Sequence, residues 1–176
     1  MYEYFAFVDE SVEKKYRLCI VAIPANHLAI TRSELQKLRL KGQSRIHMSK
    51  ESNTRRIQIL KTVFGIPGWK CLILEQTVRK SDFIEARKNL FLVAAAHKLW
   101  SSIKHITIET SNEMQRDKRI LTWIKNNTVR EFEFAFASPA QDEGLWLADI
   151  LAWSFAKGGQ HRKLIMERVE LVTSPI

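Results

Sequence analysis

The chain begins with an aromatic and β-branched run, Tyr4-Phe5-Ala6-Phe7-Val8, that stops at Asp9-Glu10-Ser11. Such a run suits a strand and not a helix, and it predicts a first strand over residues 2–9 that ends in two carboxylates. Val12 to Lys15 reads as a short polar turn, and Tyr16 to Ile23 as a second, largely apolar strand. So short a connection implies an antiparallel hairpin. Pro24 and Asn26 close it.

Helical spacing follows. Thr31 to Leu40 predicts a helix with Thr31 and Glu34 as a capping box and Gly42 as its stop. A second helix is expected from about Lys50 to Phe64, with Ile57, Leu60 and Phe64 at helical spacing. Trp69 to Val78 reads as a third strand. Asp82 to about Ser101 is a helix with Phe83, Leu90, Val93, Ala94 and Leu99 inward. His105 to Glu109 is a short strand, again with a carboxylate at its end. Residues 112–127 predict a helix and Glu131 to Phe136 a strand. A last helix starts either at Ser138-Pro139-Ala140-Gln141 or, delayed by Gly144, about a turn later, and Gly158-Gly159 end it. Leu164 to Ile176 could add one more short helix or strand.

The resulting order is β-β-α-α-β-α-β-α-β-α, an α/β mixed sheet of five strands with helices packed on it. Residues 1–176 are expected to form a single domain with a helical insertion at about 25–66. If the fourth strand docks beside the first, the two are parallel, and Asp9 and Glu109 stand at neighbouring carboxyl ends. Open α/β sheets place their ligands there.

Composition then narrows the partner. Hydrophobic residues make up 45% and charged residues 27%, as in globular proteins generally, but the formal net charge is +9. That surplus points to a polyanion. It is concentrated: nine Lys and Arg stand between Arg32 and Lys61 against Glu34 and Glu51. Lys41, Arg45, Lys50, Arg55 and Arg56 are the candidate backbone contacts for nucleic acid, RNA or DNA, with a solvated helix face as the competing reading. A smaller basic cluster, Lys157, His161, Arg162 and Lys163, follows the last helix.

No apolar run approaches the roughly 18–20 residues of a membrane span. The chain opens on a strand pattern without a signal-peptide pattern, and Cys19 and Cys71 read as buried free thiols, so a cytoplasmic location is expected. Trp123 and Trp153 could serve a homodimer or another protein partner, although core packing is the expected use.

The chemistry centres on acids. Asp9-Glu10-Ser11 by itself could merely open a turn. Asp149 lies in Leu145-Trp146-Leu147-Ala148-Asp149-Ile150-Leu151, where a lone acid needs a reason: a buried ion pair, or a site shared with Asp9 and Glu109. Clustered carboxylates repel, and a divalent cation relieves the repulsion. Mg²⁺ and Mn²⁺ prefer hard oxygen ligands, and two such ions about 4 Å apart can drive phosphodiester cleavage.

Four motifs in order carry a resemblance: Phe7-Val8-Asp9-Glu10-Ser11, Ile46-His47-Met48-Ser49, Ile108-Glu109, and Leu147-Ala148-Asp149-Ile150-Leu151. Over roughly residues 4–157 the chain resembles the domain-of-unknown-function 3800 family (DUF3800), a ribonuclease-H-like group. The resemblance implies a ribonuclease H-like fold and metal-dependent nuclease chemistry. Asp9, Glu109 and Asp149 would be the catalytic metal ligands, and His47 matches the family's histidine, able to orient water or take a proton, or simply to cap the following helix or contact phosphate. Glu10 is a further candidate, although strand alternation would turn it from Asp9. Val12 stands where the family has Gly, and Trp146 where it has Gln. The competing function is a non-catalytic nucleic-acid-binding or assembly module, or a toxin or defence component.

Overall fold

The computed structural model describes residues 3–129 and 131–174; residue 2 of the expected first strand and residues 175–176 of the expected last element lie outside it. The strands are β1 (Tyr4–Val12), β2 (Tyr16–Pro24), β3 (Lys70–Gln76), β4 (Ile103–Glu109), β5 (Glu133–Ala137) and β6 (Val169–Thr173). The helices are α1 (Leu28–Leu38), α2 (Asn53–Gly65), α3 (Phe83–Ala96), α4 (Met114–Asn127), α5 (Glu143–Lys157) and the short α6 (Gly159–Lys163).

One six-stranded sheet has the order β5-β4-β1-β2-β3-β6. The expected five strands are thus one too few: β6, from the chain's last segment, pairs parallel with β3 and covers its edge. Its alternation is weak because most of it is exposed, so its pattern reads poorly from sequence. β1 pairs antiparallel with β2 and parallel with β4, and β4 pairs parallel with β5. This is the arrangement that sets Asp9 and Glu109 on adjacent parallel strands.

Period-two alternation splits the core into two layers. Phe7, Cys19, Val21 and Ile73 face α1, α2 and α5. Ala6, Val8, Leu18, Ile20 and Leu74 face α3 and α4. Cys19 and Cys71 are buried free thiols with sulfurs 3.6 Å apart, as the sequence suggested. No helix among the described residues is long and apolar enough to cross a membrane.

Several boundaries move for physical reasons. β1 does not stop at the carboxylates but continues to Val12, because β2 pairs with it along its length, Val12 opposite Tyr16. α1 starts at Leu28, before Thr31, which is buried inside the helix and caps nothing. The stripe Thr31, Leu35, Leu38 faces the core and draws the helix start back by one turn. α2 starts at Asn53, after Ser52, whose hydroxyl accepts from the Arg55 N–H at 3.3 Å. α3 ends at Ala96, and its buried face includes Arg87. The expectation of core packing fails for Trp123, which is 56% exposed on α4.

α5 takes the later of its two expected starts. Gln141 Oε1 accepts from the Ser138 N–H at 2.8 Å, half of a capping box, but the helix proper waits for Asp142. Asp142 Oδ1 accepts from the Gly144 N–H at 2.9 Å, and Arg32 of α1 pairs with the other oxygen at 2.7 Å. The approach of α5 to β1 depends on Gly144: a Cβ there would lie 2.3 Å from the Phe7 ring. Gly158, at φ 73°, ends the helix.

Candidate active site

Three elements converge at the carboxyl ends of β1 and β4. Asp9 lies in β1, Glu109 is the last residue of β4, and Asp149 lies midway along α5. Ten of the residues of α5 are buried, and Asp149 is half-buried between the buried Ala148 and Ile150. Seated on β1 through Gly144, the helix carries Asp149 toward Asp9.

The electrostatics of Asp9 express that convergence. Burial, and then the charge of Asp149, push its carboxyl up to about 8; Glu109 and Glu10 add to the rise, and the Glu10 N–H, donating to Asp9 Oδ1 at 2.8 Å, opposes it. Burial likewise raises the Glu109 carboxyl, with Asp149 and Glu10 adding to the rise and Arg45 opposing it. Ionising Asp9 is therefore costly here, first because it is buried and then because other acids stand beside it.

Asp149 is also a structural anchor. Its Oδ1 meets His47 Nδ1 at 3.0 Å, and its Oδ2 accepts from the Met48 N–H at 2.9 Å. The carboxylate fixes the proton on Nδ1, which leaves Nε2 as the acceptor for the Ser49 hydroxyl at 3.1 Å. Each carboxylate oxygen keeps a second lone pair for a further partner. His47 sits before a 3₁₀ turn, Met48–Lys50, so its backbone does lead into a helical turn, but its imidazole is spent on Asp149 and Ser49.

Glu10 lies on the other face. With β1 extended through Val12, alternation turns Glu10 toward α3, where it pairs with Arg87. Arg87 also grips the fully buried Asp117 at 2.7 and 2.8 Å and donates to the Tyr16 hydroxyl at 2.9 Å. Sequence reading missed this network, because Arg87 and Asp117 are far apart in the chain and each looks like an ordinary helix-surface charge.

The basic insertion divides into used and free cations. Arg56 donates to the carbonyls of Met48 and Ser49, each at 2.9 Å, and stacks 4.5 Å over the Trp153 ring. It holds the His47 loop onto α5. Arg55 pairs with Glu51 at 3.7 Å. Lys41 and Lys50 are exposed. Arg45 reaches the acid cluster, its guanidinium 3.6 Å from Glu109. That pairing was not evident in the sequence, where Arg45 stood only among backbone contacts; Ser49 stood in the second motif, Ile46-His47-Met48-Ser49, but had no assigned use. Arg162 of the second cluster donates to the Phe155 carbonyl at 2.7 Å.

The donor set suits a hard divalent cation: carboxylate oxygens, net negative, and electrostatically strained at Asp9. Among the described residues, however, no three acidic, histidine or cysteine side chains already converge closely enough to cage an ion. Trp146 is buried and donates to the Pro139 carbonyl, so it adds no polar group to the cluster. Val12 closes the strand without disturbing Asp9.

No protein-family model matches the chain, and no curated protein matches it. Solved structures do. The chain is similar to the ribonuclease H2 from Pyrococcus horikoshii OT3, at 16% identity over 85% of this chain and 70% of that one, with a TM-score of 0.57. It is also similar to the RNase HII of Archaeoglobus fulgidus, solved in complex with PCNA, at 14% identity over 95% of this chain and 76% of that one, with a TM-score of 0.54. At such identities the likeness speaks for the fold, and the chain has a ribonuclease H-type fold, an α/β mixed sheet with helices on both faces.

Proposed function

We propose that this protein is a divalent-metal-dependent nuclease that hydrolyses phosphodiester bonds of RNA or DNA. The observation that carries the reading is Asp9: a carboxyl pushed up to about 8 by burial and by Asp149 and Glu109, at the strand ends of a ribonuclease H-type sheet. A bound cation would offset that cost by stabilising the ionised carboxylate. The four DUF3800-like motifs agree with it, since each contributes a residue in or beside this cluster.

Asp9, Glu109 and Asp149 would hold Mg²⁺ or Mn²⁺. Those ions, when bound, lower the pKa of a water and stabilise the leaving oxygen of a phosphodiester. The chain's own residues supply the rest. Asp149 orients the His47 ring, and Nε2, now occupied by the Ser49 hydroxyl, would take a proton once that hydroxyl turns away. Arg45, Lys41 and Lys50 offer cations to the nucleic-acid backbone beside it. Arg55 and Arg56, engaged inside the protein, shape that surface more than they contact it.

A second reading has its own support: Arg45 already pairs with Glu109, which suits a nucleic-acid-binding module whose acids are structural. A cleavage screen over labelled RNA, DNA and hybrid substrates with Mg²⁺ and Mn²⁺ separates the two. Metal-stimulated cleavage lost in Asp9→Asn supports the nuclease; salt-dependent binding with equal, metal-independent behaviour of both proteins supports the module.

A further inference from the structure

Arg45 differs from the other arginines of the segment that leads to the site. Arg39 donates to the Gln43 carbonyl at 2.8 Å, Arg55 is paired with Glu51, and Arg56 is held by two carbonyls and a Trp ring. Among the described residues Arg45 has only the ion pair with Glu109, at 3.6 Å, longer than a hydrogen bond. Both side chains remain about a third exposed, at 28% and 33%. A loose, half-exposed pair of this kind contributes little to stability, so its exchange for another partner is easy. The Arg45 fork also matches a phosphodiester's two free oxygens better than it matches this distant carboxylate.

Glu109 is the acid this pair diverts. Asp149 is anchored by His47 and the Met48 N–H, and Asp9 by its place in β1, whereas Glu109 is neutralised by a residue from the basic insertion. The three acids do not yet form a cage. We propose that Arg45 is a positioning residue shared between Glu109 and the phosphate backbone. In the free protein it sits on Glu109 and competes with a cation there. When a nucleic acid arrives, the guanidinium moves to the phosphate and Glu109 is released to join Asp9 and Asp149. Metal binding and nucleic-acid binding then strengthen each other, by equal factors in either order. This rests on the metal-nuclease reading and adds to it a mechanism by which the site assembles on its substrate.

The test is calorimetric titration of Mn²⁺ into the full chain, with and without a 2′-O-methyl oligoribonucleotide, a cleavage-resistant probe that keeps both free oxygens of each phosphodiester. Parent, Arg45→Ala and Arg45→Lys are compared, with circular dichroism as the check on folding. In the parent the oligonucleotide is expected to tighten Mn²⁺ binding by about fivefold or more. Arg45→Ala should bind Mn²⁺ alone about fivefold or more tighter than the parent, and gain less from the oligonucleotide. Arg45→Lys, which keeps the charge but not the fork, should fall between. If Arg45→Ala binds Mn²⁺ alone no better than the parent, the proposal is overturned while the nuclease reading stands. If the parent binds no Mn²⁺ even with the oligonucleotide, and Asp9→Asn changes nothing in cleavage, the nuclease reading fails first.

Discussion

Asp9 and Glu10, consecutive in the chain, stand on opposite faces of the sheet and meet opposite electrostatics. Asp9 faces the acids Asp149 and Glu109, and Glu10 meets the buried guanidinium of Arg87. Exchanging each acid for its amide separates their uses. Asp9→Asn should lower cleavage by about a hundredfold or more, since it removes a cation ligand from a step in which metal electrostatics supply several kcal/mol. Glu10→Gln should cleave nearly as the parent does and lose no more than about 1 kcal/mol of stability, because Glu10 is partly exposed and Arg87 keeps Asp117. Initial rates and urea midpoints for the two variants check this; equal loss of activity in both would refute the division.

The Asp9 carboxyl also makes stability depend on pH. In the folded chain it keeps its proton up to about pH 8, against an ordinary value of 3.8. Between those values the folded state binds more protons than the unfolded one, so stability falls as pH rises through the window, and the loss is complete above about 8. In chelator-treated protein Asp9→Asn is therefore expected to melt higher than the parent at pH 8 and to converge with it near pH 4. Each kcal/mol relieved moves Tm by about 2–4 °C for a chain of this size. Mn²⁺ should raise the parent's Tm and leave the variant's unchanged. Thermal scans across pH, with and without Mn²⁺, read both effects.

Much of this site could be read in the chain before any coordinates. Asp9 and Glu109 end or near the end of strand-like runs, and Asp149 interrupts an apolar helix; local pattern suffices to mark all of them. What escaped were relations that depend on distant pairing. β1 runs past its acids because β2 holds it there, and that extension, not any local signal, sends Glu10 to the far face. Arg87 is buried because Asp117 of α4 is buried with it, and neither residue announces the other. Thr31 has the chemistry of a cap but lies on the stripe that α1 buries, so packing overrides propensity.

The Arg87–Asp117 pair gives a stability prediction remote from chemistry. Asp117 is fully buried and accepts both forks of Arg87. Asp117→Ala leaves Nε and Nη2 of the buried guanidinium without acceptors, with Glu10 and the Tyr16 hydroxyl still at Nη1, and should cost about 3–5 kcal/mol. Cleavage by the fraction still folded at low temperature should persist. A denaturant titration paired with rates at 10 °C or so distinguishes this from a site residue.

Asp149 should respond differently to its two conservative replacements. Asp149→Asn keeps a carbonyl to accept from the Met48 N–H, so the loop carrying His47 should hold and the loss should fall on turnover. Asp149→Ala removes that acceptor as well and leaves the Met48 amide and the His47 ring without their partner. It should lose turnover and, in addition, about 1–3 kcal/mol of stability. Hydrogen exchange at the Met48 amide reports the difference: protection kept in the Asn variant and lost in the Ala variant.

The seat of α5 on β1 is the device that brings Asp149 to Asp9, and Gly144 tests it. A Cβ at this position would lie 2.3 Å from the ring of Phe7, which is 1% exposed. Gly144→Ala should therefore cost about 1–3 kcal/mol through overpacking, even though Ala is the better helix former. The strain has an outlet in lifting the N-terminal turn of α5, which would carry Asp149 away from Asp9 and reduce cleavage as well. Phe7→Leu removes ring atoms from that contact while keeping an apolar side chain. The pair Gly144→Ala with Phe7→Leu should then be more stable than the sum of the single changes by about 0.5–3 kcal/mol, with part of the cleavage restored. Strict additivity in the double-mutant cycle would mean that the helix does not rest on this contact.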